Sequence, residues 1–510
     1  MIENVLNQVL FLPAAGALLL LFVPRRFERV FFPSAALVAT ITFILSTVLY
    51  IDFDTGSGAY QFVNRAPWIA SYNITYFVGI DGISLALILL TTFLTAISLF
   101  LSAWSVRERR KEFVICLLVL ETAMVGTFAA LDVFLFYVFW ELVLIPMYLL
   151  IGIFGGPKRI YATLKFFIFT MSGSVLMLVG LLALYWLHHV EFGTYSTSLP
   201  DLYRLTISGD LQLWLFAGFV IAFAIKIPMF PFHTWLPDAH TEAPTAGSVL
   251  LAGVLLKMGG YGMIRYALPL FPSAAVAFAP LLGSLGVIAI LYGAYVAMAQ
   301  EDLKKLVAYS SVSHMGFVVL GIASLTSLGI QGAVFQMVAH GISTGALFLL
   351  VGILYERRHT RMLADFGGLA RVTPRFAAAF LIITLASIGL PGLCGFVGEF
   401  LILCGSFGGT ALGYPVWMVG FSVIGVVLGA VYMLMTYERI FWGEVRLEEN
   451  RKLPDLRGPE ALALILPIVA AVWLGVAPNT LLRSIAPSVK QILSHIEAAN
   501  TSVLNGKGHP

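Results

Sequence analysis

Residues 224–262 read AIKIPMFPFHTWLPDAHTEAPTAGSVLLAGVLLKMGGYG. The stretch lies in an apolar background yet holds two lysines, and its first half cannot form one continuous helix. Pro228 and Pro231 follow Lys226 closely, and each removes a backbone donor and clashes with the turn before it. Lys257 falls near the centre of the next apolar run. Unpaired backbone in a bilayer is tolerated only where it is buried in protein or lines a wet cavity. A break beside a lysine therefore marks a polar interior inside a membrane domain.

Composition supplies that membrane domain. Of 510 residues, 59% are hydrophobic and 11% charged, with a mean hydropathy of +0.93, whereas soluble domains carry roughly 25% charge. A soluble enzyme is excluded. Apolar runs of about 20 residues, the length that crosses a bilayer, recur at 6–24, 30–51, 80–104, 113–131, 133–153, 160–187 and 211–239, then at 243–268, 274–298, 305–323, 327–354, 375–407, 415–442 and 459–478. The expected fold class is all-α: one polytopic membrane domain over 1–510 with about 14 transmembrane helices. The net charge of +3 is scattered without a basic stripe, which gives no support to a nucleic-acid surface. Cys116, Cys394 and Cys404 lie in separate apolar runs, so neither a disulfide framework nor a metal or iron–sulfur site is indicated.

The basic residues record orientation. Glu3 precedes the first run while Arg25, Arg26 and Arg29 follow it, so that run is expected to remain as a helix with its N-terminus outside. With each span reversing the side, 21 of the 30 basic residues fall inside, among them Arg107 to Lys111, Lys158, Arg159, Lys304, Lys305 and ten in the last two inner loops. Six fall outside: Arg65, Arg204, Arg265, Arg483, Lys490 and Lys507. Both termini are expected outside, and the apolar spacing in APSVKQILSHIEAAN (486–500) suits a helix lying on the outer surface.

Lys165, Lys226 and Lys257 remain within spans, with Glu121, Glu141 and Glu399. A lysine at a helix centre costs roughly 2.5–3.5 kcal/mol on insertion scales, so such groups need partners or a task. One reading is an internal ion pair that fixes helix register; the other is a proton relay. Lys165 lies near enough to a helix end to snorkel, and a protonated Glu121 bonded to a neighbouring helix would cost little. His314 and His340 fall near mid-span, either as neutral core histidines or as relay groups. His188, His189, His359, His495 and His509 lie in loops or the tail and carry no expected role.

A second break follows in SIGLPGLCGFVGEF (387–400), where Gly389, Gly392 and Gly395 flank Pro391 and Glu399 comes two turns later. The breaks, in spans 7 and 12, are five helices apart. An odd offset reverses the crossing direction, as two inverted repeats of five helices with discontinuous helices require. The expected division is helices 1–3 over 1–104, a first repeat over 113–268, a second over 274–442, helix 14 over 459–478 and a short outer tail over 479–510. A proline kink without function is the alternative.

The runs VGIDGISL, LDVFLFYVFWELVLIPMYLLIG, KIPMFPFHTWLPDAHTEAPTAGSVLLAGVLLKMGGYG, YSSVSHMGFV and GFVGEF resemble the antiporter-like subunits of respiratory complex I, the proton-pumping NADH:quinone oxidoreductase. The likeness spans nearly the whole chain and is strongest from about residue 79 to 400. Glu399, the short tail and LIPMYLL make it most similar to the M-type branch of that family, called chain 4 in mitochondria; Mrp-type sodium/proton antiporter subunits share much of the pattern.

The resemblance implies that Glu141 pairs with Lys226, that Lys257, His314 and His340 carry a proton along the mid-membrane axis, and that Glu399 is its terminal group. His233, Asp132 and Lys165 are implied as connecting groups. It implies no cofactor on this chain, with NADH, FMN, iron–sulfur clusters and quinone on partner subunits, L-like and N-like subunits as neighbours, and a bacterial inner membrane. A carboxylate about 4 Å from a lysine contributes roughly 4 kcal/mol at an effective dielectric near 20, enough to switch the lysine between holding and releasing a proton. Moving one charge against 100 mV takes roughly 2.3 kcal/mol, and nothing in the motifs supplies it, so the expected function is proton translocation driven by quinone reduction elsewhere in the complex. The alternatives are a sodium/proton antiporter subunit and a structural membrane subunit.

Overall fold

A computed structural model describes residues 4–409 and 415–506, with side chains described to residue 500; Lys507 and His509 lie outside this range. Because lipid offers no hydrogen bonds, each spanning segment must pair its own backbone, and the chain does so as helices. In order these are α1 (Val5–Phe22), α2 (Glu28–Ile51), α3 (Gly82–Ser105), α4 (Arg110–Ala129), α5 (Val133–Phe154), α6 (Arg159–Phe192), α7 (Gly209–Lys226), α8 (Trp235–Glu242), α9 (Thr245–Leu270) and α10 (Pro272–Met298). There follow α11 (Leu303–Ala323), α12 (Ser327–Arg358), α13 (Pro374–Ser387), α14 (Cys394–Gly408), α15 (Val416–Phe441), α16 (Gly458–Val476) and α17 (Asn479–Gly506). Thirteen segments among the described residues are long and apolar enough to cross a membrane, and α13 and α14 are shorter apolar helices.

The centre of the bundle is formed by α9 and α12, whose apolar windows are wholly enclosed by protein, whereas α2, α15 and α16 are largely exposed to the surroundings. A titratable group on α9 or α12 therefore faces other helices. Two π-helical turns, Leu251–Leu255 and Met263–Ala267, flank Lys257 in α9; such turns loosen the regular hydrogen-bond ladder and often occur at functional sites.

Both sequence breaks are present. The seventh run divides into α7 and α8; the Met229 amide turns to the Ala224 carbonyl at 2.9 Å, and the indole Nε1 of Trp235 donates to the Ile225 carbonyl at 2.9 Å, satisfying the acceptor that Met229 would serve in a continuous helix. The twelfth run divides into α13 and α14, with Gly389 (φ +74°) and Gly392 (φ +91°) in the left-handed region that glycine adopts readily.

The all-α expectation needs one addition. Gln61–Ile69 (β1) and Ile74–Ile80 (β2) form an antiparallel hairpin, turned at Asn73 with φ +52°. The apolar end of β2 runs straight into the apolar start of α3, so the boundary is invisible to hydropathy; Asp81 sets it by accepting from the amides of Ile83 and Ser84. The tail helix is longer than the 486–500 segment read for it. α17 buries Leu481, Ile485, Val489, Ile492 and Ile496, a helical stripe laid against the bundle at the end that carries the hairpin.

Candidate functional site

Lys257 has no exposed surface. Its ammonium donates to the Ala252 carbonyl, an acceptor within the first π-helical turn, and lies 2.6 Å from His340 Nδ1 on α12. The His340 ring centroid is 5.6 Å from that of His314 on α11. His314 Nδ1 is 3.2 Å from Glu399 Oε1 on α14, which also accepts from Gln336 Nε2 at 3.3 Å. Four groups far apart in the chain thus form one buried file.

The second break holds the far end of that file. Ser387, the last residue of α13, places its hydroxyl 3.4 Å from His314 Nε2. A Cβ on Gly389 would sit 2.8 Å from Glu399 Oε2, so the loop between the half-helices touches the carboxylate. Imidazole exchanges protons through either nitrogen, and His340 Nε2 is buried without a partner. The arrangement can pass a proton between an amine and a carboxylate through two histidines.

At the first break, the expected Glu141–Lys226 ion pair is not formed. Among the described residues no cation lies within 4.0 Å of Glu141, and Lys226 Nζ is buried without a hydrogen-bond partner. The ammonium instead lies over the ring of Trp140, 5.0 Å from its centroid, and 6.0 Å from that of Phe166, where the negative face of the ring attracts it. Glu141, the next residue on α5, is turned about 100° further round the helix and is half-buried. Gly259 admits this packing, since a Cβ there would lie 2.6 Å from the Phe223 carbonyl on α7.

The remaining candidates separate. Lys165 is ion-paired to Asp238 at 2.7 Å, and His233 is buried, with neither nitrogen bonded, between the rings of Phe230 and Tyr292. Glu121 is fully buried in α4 with both carboxylate oxygens unpartnered. Asp132 caps α5 from the hairpin end of the bundle. It accepts from the Phe134 and Leu135 amides, the Thr75 amide and hydroxyl, and the Thr197 hydroxyl, so its oxygens are already occupied by donors that join three segments.

Sequence reading missed several groups. Asp238 and His240 lie inside the quoted motif itself; His240 is fully buried, has no bonded nitrogen and stacks on Phe348 at 4.5 Å. Their seven-residue and one-turn spacings from His233 and Trp235 were the available signal. Lys304, read only as an orientation marker, is buried with its ammonium 2.6 Å from the Ala243 carbonyl. It lines a cavity of about 370 Å³ with Glu242 and Arg361, at the end of the bundle opposite the hairpin. Arg265, also read as a marker, forms a buried ion pair with Asp81. The three cysteines are free, and among the described residues no group of three or more metal-ligating side chains is gathered.

Residues 130–429 match the family model described as NADH:quinone oxidoreductase/Mrp antiporter, TM. The chain is 45% identical over 508 residues to NADH-quinone oxidoreductase subunit M of Rhodobacter capsulatus, covering 97% of this chain and 98% of the relative. It is 41% identical to NADH-ubiquinone oxidoreductase chain 4 of Arabidopsis thaliana, over 96% and 97% of the two chains. Among solved structures, a chain of respiratory complex I from Thermus thermophilus superposes with a TM-score of 0.87 at 33% identity, over 97% of this chain and all of that one. A chain of the Mrp complex from Dietzia shares the fold, with a TM-score of 0.84 at 19% identity over 98% and 99%.

Proposed function

The chain belongs to the NADH:quinone oxidoreductase/Mrp antiporter family as an antiporter-like membrane subunit of respiratory complex I, and from that premise we propose that it carries protons along the buried groups from Glu141 to Glu399. The observation that carries this reading is the file Lys257–His340–His314–Glu399, with donor–acceptor separations of 2.6 and 3.2 Å at its two ends. A structural ion pair needs two groups. Four in series, ending at a broken helix, suit transfer.

In this reading Lys226 is the loading group. Its ammonium rests on aromatic faces, so displacement of Glu141 toward or away from it changes whether it keeps its proton; at roughly 4 kcal/mol for a charge about 4 Å away at an effective dielectric near 20, the change spans the range needed. Lys257 takes the proton next, His340 and His314 pass it on, and Glu399 holds it beside the α13–α14 break. His233 and the Lys165–Asp238 pair connect the first break to the inner face, and Glu121 stands as a reserve carboxylate. Asp132 keeps a positioning role at the start of α5.

Translocation against 100 mV takes roughly 2.3 kcal/mol per charge, which we assign to quinone reduction on partner subunits of the complex, with L-like and N-like subunits as neighbours. An iron–sulfur cluster is held by four cysteines, and three dispersed cysteines do not fit one, so we place the clusters, FMN, NADH and quinone on those partners. The distribution of basic residues favours both termini on the outer side of a bacterial inner membrane, and the two breaks favour inverted repeats over 113–268 and 274–442.

Glu141→Gln in the assembled complex tests the reading. Loss of NADH-driven proton transport is expected; normal transport would overturn it.

A further inference from the structure

Helices α3, α12 and α16 meet along a seam that contains none of the relay groups. Its two halves differ in chemistry. At the end of the bundle opposite the hairpin the seam opens into a cavity of about 330 Å³, whose lining includes Arg107, Arg357, Arg457, Glu356, Glu460 and Ser98. Toward the hairpin it becomes a groove of about 230 Å³, whose lining includes Leu89, Phe93, Ile342, Ala470, Trp473 and Leu474.

The cavity suits an anion. Three arginines in its lining face two glutamates, a surplus of one positive charge. Glu460 is taken up by Arg357, whose guanidinium donates to it at 2.6 Å. Arg107 faces Glu356 without pairing to it, and Arg457 adds its charge to that of Arg357. In the wall, Ser98 is 1% exposed and its Oγ has no hydrogen-bond partner, an unusual condition for a buried hydroxyl. Trp104 stands exposed on the same cavity, as tryptophan does at the level of lipid head groups.

The groove is apolar because its few polar side chains turn to backbone: the Thr47 hydroxyl donates to the Phe43 carbonyl at 3.0 Å, and the Tyr50 hydroxyl to the Thr480 carbonyl. Such a surface stays dry and accepts an apolar occupant. The cavity meets α3 over 98–105, α12 over 349–357 and α16 at 459–460, and the groove meets them over 86–93, 338–342 and 470–474. On each helix the midpoints are about 12–13 residues apart, roughly 19 Å of helix rise. Half a bilayer with its head groups measures roughly 20–22 Å. A lipid with its head in the cavity therefore brings a chain end to the groove.

We propose that the seam holds one anionic phospholipid with a hydroxylated head group, of the phosphatidylglycerol type. Its phosphate lies between Arg107 and Arg457, its head-group hydroxyls reach toward Ser98, and one acyl chain fills the groove. Basic pockets between membrane helices bind anionic head groups in this way. A choline lipid would bring a cation into a cavity that already has one in surplus, and its head group has no hydroxyl for Ser98.

The test exchanges the assembled complex into nanodiscs that contain phosphatidylglycerol or phosphatidylcholine with the same diazirine-bearing acyl chain, and maps photolabelled peptides by mass spectrometry. Labelling from phosphatidylglycerol is expected at 86–93, 338–342 and 470–474, and several-fold less from phosphatidylcholine; this comparison on the wild-type complex needs no variant. Arg107→Gln and Arg457→Gln alter exposed side chains outside the relay, so assembly and NADH oxidation should be unchanged while each weakens labelling about fivefold. Ala470→Phe fills the groove and leaves every charge in place, and loss of labelling there separates a seated lipid from anionic lipid merely gathered around the complex. Equal labelling by the two lipids, labelling unchanged in the arginine variants or in Ala470→Phe, or an unlabelled seam in the wild-type complex would each overturn the site.

Discussion

Gly389 lies against the carboxylate of Glu399: a Cβ at this position, where φ is +74°, would sit 2.8 Å from Oε2. Gly389→Ala therefore meets two penalties, about 1–2 kcal/mol for a side chain in the left-handed region and displacement of Glu399 from His314. Gly392 has φ +91° but nothing within 4 Å of a Cβ, so Gly392→Ala meets only the first. Reduced proton transport per NADH oxidised is expected for Gly389→Ala and not for Gly392→Ala, at matched amounts of assembled complex. Equal transport by both would show that the break does not position Glu399.

Lys257 offers a direct test of proton transfer against simple charge. Arginine keeps its proton at all working pH values, so Lys257→Arg preserves a buried cation that cannot release. Methionine keeps the chain length and removes a buried charge whose desolvation is costly. Both variants are expected to lose NADH-driven proton transport, and Lys257→Met to assemble normally. Transport by Lys257→Arg would reduce the residue to a structural charge.

How far the site could be read in the chain depends on the residue. Pro228 with Pro231, and Pro391 among its glycines, announce both breaks because closely spaced helix breakers act together there, whereas single prolines such as Pro13, Pro280 and Pro467 sit inside continuous helices. Lys257, His314, His340 and Glu399 stand out as polar groups in apolar runs. Their contact does not, since Lys257 meets His340 across 83 residues and His314 meets Glu399 across 85, and helical period says nothing about which helices touch. Glu141 and Lys226 show the reverse error. The family resemblance implied a pair, but the aromatic faces of Trp140 and Phe166 give the ammonium another partner. Asp81 and Arg265 were legible singly, as a motif residue and an orientation marker, and only the fold joins them.

Asp455 provides a test outside the membrane. It caps α13, the half-helix leading to the second break, accepting from the amides of Arg375 and Phe376 at 3.0 Å each and of Leu456 at 2.8 Å. Partial burial opposes its charge, but these N–H donors and the Arg375 cation outweigh it and hold the carboxyl below its ordinary value of 3.8. A group depressed in the folded state adds stability above its unfolded value, and that stability is lost as pH falls through the lower folded one. Asp455→Ala should cost about 1 kcal/mol at neutral pH, the usual price of a lost cap. The gap between variant and wild type in thermal dissociation of the complex should narrow as pH falls below 3.8 toward the lower folded value. A constant gap would mean that the charge of Asp455 plays no part.

Trp235 spans the first break, and its loss separates the break's geometry from its charge. Trp235→Phe leaves the Ile225 carbonyl without its indole donor in a buried site, which costs about 1–3 kcal/mol. The remaining acceptor then draws on the unpartnered donor next to it in sequence, the Lys226 ammonium, pulling it off the Trp140 face. Lower thermal stability is expected together with impaired proton transport, although no titratable group has been removed. The companion Phe166→Leu removes one of the two rings near the ammonium and leaves the Ile225 bond intact, so it should impair transport with a smaller stability loss. If Trp235→Phe destabilises the complex while transport per assembled complex is unchanged, the position of Lys226 at the break is not what sets its proton.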